Sequence, residues 1–393
     1  MRRLLGVVGE PMNGVGYVRF EQPIRHLRDR GFELVTLGEQ ITLERTAEGY
    51  RPAPSLLDGI DAVVFPQMVA SPQLADGMRL DLVGPICAQA VERGLPVIYS
   101  VDDDVGAVEE SNPAFERMRE FGDNVETILA HASAVFVTTD GLRRQFAGRG
   151  LPVFVLPNAI DPGRWRPRRR VADELHIGWA GSSSHVDDLL MVLPAIRRLQ
   201  RRVDCRFVLQ GLVARPLAEE AADVRGLLPQ LSGSRRERAS RFLELAGSLA
   251  ELRHRHVPYT EMARYFEVLS GLDLDVGICP LRDTPFNRRK SALKFYEYAM
   301  CETLTVASAI PPYRDEVSIT VRNEPDAWCD ALQHWLPDRD RREVELARQR
   351  AFVLEQRDIG SMRHRWAEAL EATLGGACAA VSAGSASSRR STE

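Results

Sequence analysis

The sequence predicts an α/β protein of two domains, each a parallel sheet with helices on both faces. Three observations carry this. A chain of 393 residues is too long for one ordinary core. Short β-rich runs alternate with longer amphipathic stretches in two successive series, the pattern of right-handed βαβ units. Between the series, LPNAIDPGRWRP opens a Pro-, Arg- and Gly-rich connection through about Ala172, a composition shift that marks a domain boundary.

The first domain is expected over residues 1–170. Its strand candidates are LLGVVG, ELVTL, AVVFP, PVIYSVDD, AVFVTT and VFVLPN, separated by helical stretches at Val18 to Arg30, Gln73 to Arg93, Pro113 to His131 and Gly141 to Gly148. In such sheets ligands bind at the carboxyl ends of strands. The first end, GEPMNGVGYVRF, holds Gly14 and Gly16 between strand and helix, with Arg19 on the first helical turn. It reads either as a turn needing glycine conformations or as a substrate-facing loop. The glycine spacing does not give the dinucleotide fingerprint GxGxxG. A second end, VDDD, offers Asp102 and Asp103, as ligands for a divalent metal, as a general base or as a solvated cap for the following helix.

The second domain is expected over residues 171–358. Its strand LHIGWA leads into GSSSHVDDL, where Gly181, Ser182, Ser183 and His185 precede a helix. This is either an ordinary serine-capped helix or a set of N–H and hydroxyl donors suited to phosphate or sugar oxygens. RFVLQG follows. Residues 212–256 then form one or two helices longer than a simple crossover requires, read as a helical insertion. YTEMARYFEVLSG is a short helix, and LDVGIC, TLTVAS and SITVRN supply further strands. Helices are expected at Glu324 to Trp335, Arg341 to Glu355 and Ile359 to Leu374, the last (359–374) packing back toward the N-terminal domain. Residues 375–393, rich in Gly, Ala and Ser, are expected to be a disordered tail.

One anomaly stands out. Of 51 Lys plus Arg residues only two are lysines, Lys290 and Lys294. Lysine offers a compact, strongly hydrated point charge where arginine presents a broad planar fork, so its placement asks for a reason. At helical spacing Lys290, Lys294 and Glu297 share a polar arc beside the apolar stripe of Leu293, Tyr296 and Met300. Asn287 stands where an N-cap would be. The helix N-terminus and two ammonium groups would together suit a phosphate. A solvated helix face with a Lys294–Glu297 pair is the other reading.

Composition excludes several classes. Hydrophobic content of 44% and charged content of 27% are those of a soluble globular protein. A net charge of −4, with arginines spread among acids, gives no nucleic-acid footprint. Six cysteines (Cys87, Cys205, Cys279, Cys301, Cys329, Cys378) without a CxxC pair read as reduced, buried thiols in a cytoplasmic protein. No cluster suggests a metal. The first apolar run looks like a strand and not a signal peptide. No stretch is long and apolar enough to span a bilayer, which leaves only peripheral membrane contact open.

The segments VFVLPNAID, IGWAGSSSHVDDL and DVGICPLRDTPFNRRKSALKFYEYAM together resemble the glycosyltransferases of the GT-B fold, especially family 4-like enzymes of bacterial glycoconjugate and natural-product pathways. The likeness spans roughly residues 1–374, with the specific motifs in the second half. It implies two Rossmann-like domains facing across a cleft, with the acceptor on the N-terminal side and a nucleotide-activated sugar on the C-terminal side. By this resemblance Lys290 and Lys294 hold the donor diphosphate and Glu297 binds ribose hydroxyls. The Gly181 to Ser184 turn borders the phosphates, and the reaction retains configuration without a metal or other cofactor. The nucleotide-diphosphate sugar is the co-substrate, and the acceptor is a polysaccharide, a lipid-linked species or a small molecule. The chain departs from the family at Arg289, where the first glutamate of its two-glutamate motif would stand, and at Glu302, where a glycine is common. A sugar-nucleotide epimerase and a non-catalytic binding or partner subunit are the alternatives.

Overall fold

The computed structural model describes residues 1–8, 13–47, 49–67, 79–113, 115–120, 122–167 and 174–388. The chain divides into two units. The first comprises Met1–Gly106, Met118–Asn158 and the segment from Ile359 on; the second comprises Ala107–Arg117 and Ala159–Asp358. The boundary therefore falls at Asn158, about a dozen residues before the expected one. Ile160 explains the shift: its N–H donates to the Arg357 carbonyl and it bridges to Asp358, which ties the start of the connection to the second unit.

In the first unit the strands are β1 (Arg2–Gly6), β2 (Phe32–Thr36), β3 (Leu43–Arg45), β4 (Gly49–Pro52), β5 (Ala62–Pro66), β6 (Arg79–Leu80), β7 (Val97–Val101), β8 (Ala134–Val137) and β9 (Val153–Val155). Six of them form one sheet in the order β2-β1-β5-β7-β8-β9, parallel throughout. They are the six apolar runs of the sequence; the central β5, β7 and β8 are buried throughout, as a parallel sheet covered on both faces requires, and the outer β2 and β9 only in part. Leu5, Phe65, Tyr99 and Val135 lie in its core. Gly6 lets the first helical segment close onto the sheet, since a Cβ there would sit 2.0 Å from the Phe20 ring. The small sheet β3-β4-β6 was not expected. Part of the helix expected at Gln73 to Arg93 lies outside the described residues, and the described part is β6 followed by a helix at Val83–Glu92.

The helix at Ile359–Ser388 groups with this first unit. Trp366 meets Phe136 edge-on at 5.9 Å, and the Arg363 guanidinium donates to the His26 carbonyl and Asp29. Its backbone stays helical through Ser388, where disorder was expected. Alanine is the strongest helix former, and it recurs through that stretch.

In the second unit β10 (Leu175–Ser182), β11 (Cys205–Leu212), β12 (His254–Val257), β13 (Val276–Cys279), β14 (Leu304–Ser308) and β15 (Thr320–Val321) form a parallel sheet in the order β12-β11-β10-β13-β14-β15. Trp179, Phe207 and Trp328 are fully buried in its core. Residues 212–256 are not a separate insertion. Helices at Leu217–Leu227 and Gly233–Ala250 are the crossover from β11 to its neighbour β12, which begins inside the range read as inserted.

Both sheets share one topological feature. The chain builds outward from the central strand in one direction and then returns to its other side. The order reverses between β1 and β5 in the first unit and between β10 and β13 in the second. Loops leaving two such strands diverge to opposite faces and open a crevice at their carboxyl ends, the usual ligand position in open α/β sheets.

Candidate active site

At the crevice of the second sheet, β10 ends in Gly181 and Ser182 and a turn over Ser183–His185 leads into the helix Val186–Gln200. No serine side chain caps either element. The hydroxyls of Ser182 and Ser184 instead lie 2.8 Å from each other. Gly181 is required by packing: a Cβ would lie 2.5 Å from the Trp179 ring and 3.1 Å from Lys294 Cε.

From the other side of the crevice, β13 leads through a loop to a turn at Asn287–Arg289, then to the helix Leu293–Met300. Two expectations are corrected here. Lys290 is extended, with φ −63° and ψ 162°, so it precedes the helix instead of sharing a face with Lys294. Asn287 is not the N-cap, a position held by Ala292. Asn287 is buried, and its amide donates to Asp188 at 3.1 Å and to the Arg282 carbonyl at 3.0 Å. Its partners make it a brace for the loop, because those contacts satisfy the amide better than a distant helix end could.

The two lysines differ in setting. Lys290 Nζ stands 4.2 Å from the centre of the Phe286 ring. Lys294 lies on the first turn of the helix, with Nζ 3.5 Å from His185 Nε2 and 5.8 Å from the Trp179 ring. His185 is buried, and its Nδ1 lies 2.8 Å from Asp188. Burial, together with the Lys294 charge, lowers the His185 pKa to about 4 against the pull of Asp188, so the ring is neutral near pH 7.

Glu297 is 9% exposed and accepts a hydrogen bond from the Tyr265 hydroxyl at 2.9 Å. Burial raises its pKa to about 7, opposed by the Tyr265 hydrogen bond and by Lys294. Next to it, Tyr298 accepts from the Ala180 N–H at 2.9 Å, tying this helix to the end of β10. Arg282 pairs with Glu109 and lies 3.8 Å from Asp187. Asn112 donates to the Ser184 carbonyl and so borders the same turn.

Of the residues that sequence reasoning singled out, Gly181, His185 and Lys294 lie against one another, Glu297 is one turn on from Lys294 in the same helix, and Lys290 is in the loop before it. That reasoning assigned nothing to Asp188 or Tyr265. For Asp188 a signal was present, a His-x-x-Asp spacing at a helix start that puts both side chains on one face. For Tyr265 there was none, since an aromatic in an amphipathic helix reads as core.

In the first unit Gly14 begins the short helical segment Gly14–Gly16, and the Gly16 N–H donates to Asn13 Oδ1 at 2.8 Å. Gly16 is right-handed helical, with φ −57°, so it is not a glycine-demanding turn. A Cβ on Gly14 would meet no atom within 4 Å. Arg19 is corrected: expected at a substrate-facing loop, it is fully buried. Its guanidinium donates to the Leu156 carbonyl at 2.6 Å and Asn158 at 3.2 Å, and stacks over Trp366 at 4.9 Å. Asp102 and Asp103 are half-buried beyond β7. The Asp102 N–H donates to the side chain of Gln67, which follows β5 in a left-handed backbone with φ 60°. A buried, non-glycine residue in that region stores strain of order 1 kcal/mol or more, a frequent mark of functional strand ends.

Comparison with solved structures bears on the fold. The HepE protein of Anabaena in complex with UDP-glucose superposes with a TM-score of 0.61 at 12% identity, covering 95% of this chain and all of that one. AviGT4, a glycosyltransferase involved in avilamycin A biosynthesis, gives 0.55 at 15% identity over 96% and 99%. The chain has the fold of known glycosyltransferases. A glycosyltransferase of Rickettsia africae adds a third example, at 0.56 and 11% identity over 95% and 98%. No protein-family model and no curated protein matches the sequence. Among the described residues, no helix is long and apolar enough to cross a membrane.

Proposed function

We propose that the protein is a glycosyltransferase that moves a sugar from a nucleotide-diphosphate donor to an acceptor hydroxyl, with retention and without a metal. The observation that carries this is the placement of Lys294 at the strand-order reversal of the second sheet, beside a neutral imidazole and one turn from a buried carboxylate. That HepE crystallised with UDP-glucose and shares this fold makes the same donor class the natural occupant.

In this reading the bond from the anomeric carbon to the diphosphate oxygen breaks with its electron pair going to the leaving group, while the acceptor oxygen bonds to the anomeric carbon and its proton passes to the departing phosphate oxygen. Lys294 and Lys290 stabilise that growing charge. A well-placed donor of this kind lowers the barrier by about 3 kcal/mol. Glu297, as a carboxylate, accepts hydrogen bonds from the ribose hydroxyls. Ser182, Ser183 and the N–H groups of the turn border the phosphates, while Asp102 or Asp103 orients a hydroxyl of acceptor or donor. Arg289 stands where relatives of the expected family carry a glutamate, which bears on which sugar is held.

Turnover of UDP, GDP and dTDP sugars tests the reading. Lys294→Ala should lower kcat roughly a hundredfold or more and Lys290→Ala less, with EDTA without effect. Wild-type rates in both variants would remove the lysines from the mechanism. Donor consumption with no acceptor present would favour an epimerase.

A further inference from the structure

The contact that sets the direction of the Lys294 charge begins three residues into another helix. Asp188, 3% exposed, collects three contacts: the Arg282 backbone N–H at 2.6 Å, the Asn287 amide at 3.1 Å and His185 Nδ1 at 2.8 Å. The first two both donate to Oδ1, and His185 faces the other oxygen, Oδ2; as a carboxylate Asp188 only accepts. The hydrogen between Asp188 and His185 therefore belongs to Nδ1. In a neutral ring this leaves the lone pair on Nε2, and Nε2 is the atom that faces Lys294 Nζ at 3.5 Å.

The ring cannot readily turn. Trp179 meets it edge-on at 5.8 Å, and the Lys294 stem is confined by the Gly181 backbone, where even a Cβ would come within 3.1 Å of Cε.

We propose that Asp188 and His185 are positioning residues for Lys294: the carboxylate selects the imidazole tautomer whose lone pair receives the ammonium, and so fixes where that charge points. The same carboxylate holds the backbone at Arg282 and the side chain of Asn287, so one buried group sets both the direction of Lys294 and the loop that delivers Lys290. The geometric part stands on these contacts alone; its consequence for turnover rests on the reading of Lys294 as the cation at the diphosphate.

Because the chain has two lysines, their ammonium groups can be read directly. Protein labelled with 15N-lysine gives two side-chain signals, assigned by Lys290→Arg and Lys294→Arg. His185→Leu and Asp188→Asn should each move the Lys294 signal, and His185→Leu should leave that of Lys290 in place. His185→Gln, which keeps an acceptor, should return the Lys294 signal part of the way. In turnover His185→Leu should lower kcat roughly tenfold to a hundredfold, with KM for the donor nearly unchanged and partial rescue by His185→Gln. An unmoved Lys294 signal in folded His185→Leu overturns the proposal, whatever Asp188→Asn does to folding. If the signal moves while Lys294→Ala retains wild-type turnover, the positioning pair stands and the reading of Lys294 as the diphosphate cation fails.

Discussion

The two units solve one architectural problem with different cations. Each has a six-stranded parallel sheet whose order reverses beside its first strand, and each places a basic side chain against an aromatic ring, with different partners. In the first unit it is Arg19, whose planar fork binds the end of the Leu156 to Asn158 segment while its face lies on the Trp366 ring. Burial lowers even this guanidinium to a pKa of about 10, with Asp102 opposing. In the second unit it is Lys294, set against a neutral imidazole. A fork that holds one chain segment and stacks on the aromatic ring of another is a fixture of the fold, whereas a point charge on a flexible stem can meet an anion. A chain with 49 arginines and two lysines keeps the second device for one place.

The sharpest way to break this contrast is to exchange the effects. Trp366→Ala should destabilise the protein by about 3–5 kcal/mol, as truncation of a buried aromatic does, and Arg19→Met by about 2–3 kcal/mol through the unsatisfied Leu156 carbonyl and Asn158. Thermal or urea unfolding measures both. Donor binding by the fraction still folded should be unchanged. Lys294→Ala should do the reverse, leaving the unfolding midpoint near wild type. If Arg19→Met abolished donor binding in folded protein, the division between fixture and site would fail.

A smaller effect sharpens the comparison inside the second unit. The Glu297 pKa is raised to about 7 from 4.5, so the native state holds a proton there that the unfolded chain has released. That contribution to stability is complete below about pH 4.5 and lost as pH rises through 7. Donor binding runs the other way, since the carboxylate accepts from hydroxyls on both oxygens and more strongly than the neutral acid does, so affinity for the nucleotide should fall as pH drops through about 7. Tyr265→Phe removes a hydrogen bond to the carboxylate and should move that midpoint to higher pH. Calorimetric titration of UDP between pH 5 and pH 9, about two units each side of that midpoint, measures both. A midpoint that ignores Tyr265→Phe would separate the two residues.

How far the sequence disclosed all this follows from what each feature leaves in a one-dimensional pattern. Strands covered on both faces are short unbroken apolar runs, and the six of the first sheet were all legible. β12 was not, because HRHV at the sheet edge needs apolar cover on one side at most. The lysines were legible by their rarity. Their relation was not, because the extended backbone at Lys290 breaks the helical spacing that would have put both on one face. For Asp188 only the His185 contact left a local trace; Arg282 and Asn287, 94 and 99 positions away, fold against it, and local pattern holds no sign of those. Arg19 misled for the same reason, since its acceptors lie 137 and 139 residues on.

The smallest expected effect concerns the segment that completes the first unit. Arg363 reaches the His26 carbonyl at 3.1 Å and the exposed Asp29 at 2.8 Å. An ion pair at the surface gains little, because water screens it and both side chains lose freedom. Arg363→Ala should therefore lower stability by no more than about 1 kcal/mol, with the loss reduced in high salt, while Trp366→Ala on the same helix costs several times as much. The ratio is the informative quantity. Comparable losses at the two positions would mean that charge, and not the aromatic face shared by Arg19 and Phe136, holds the last helix to the first sheet.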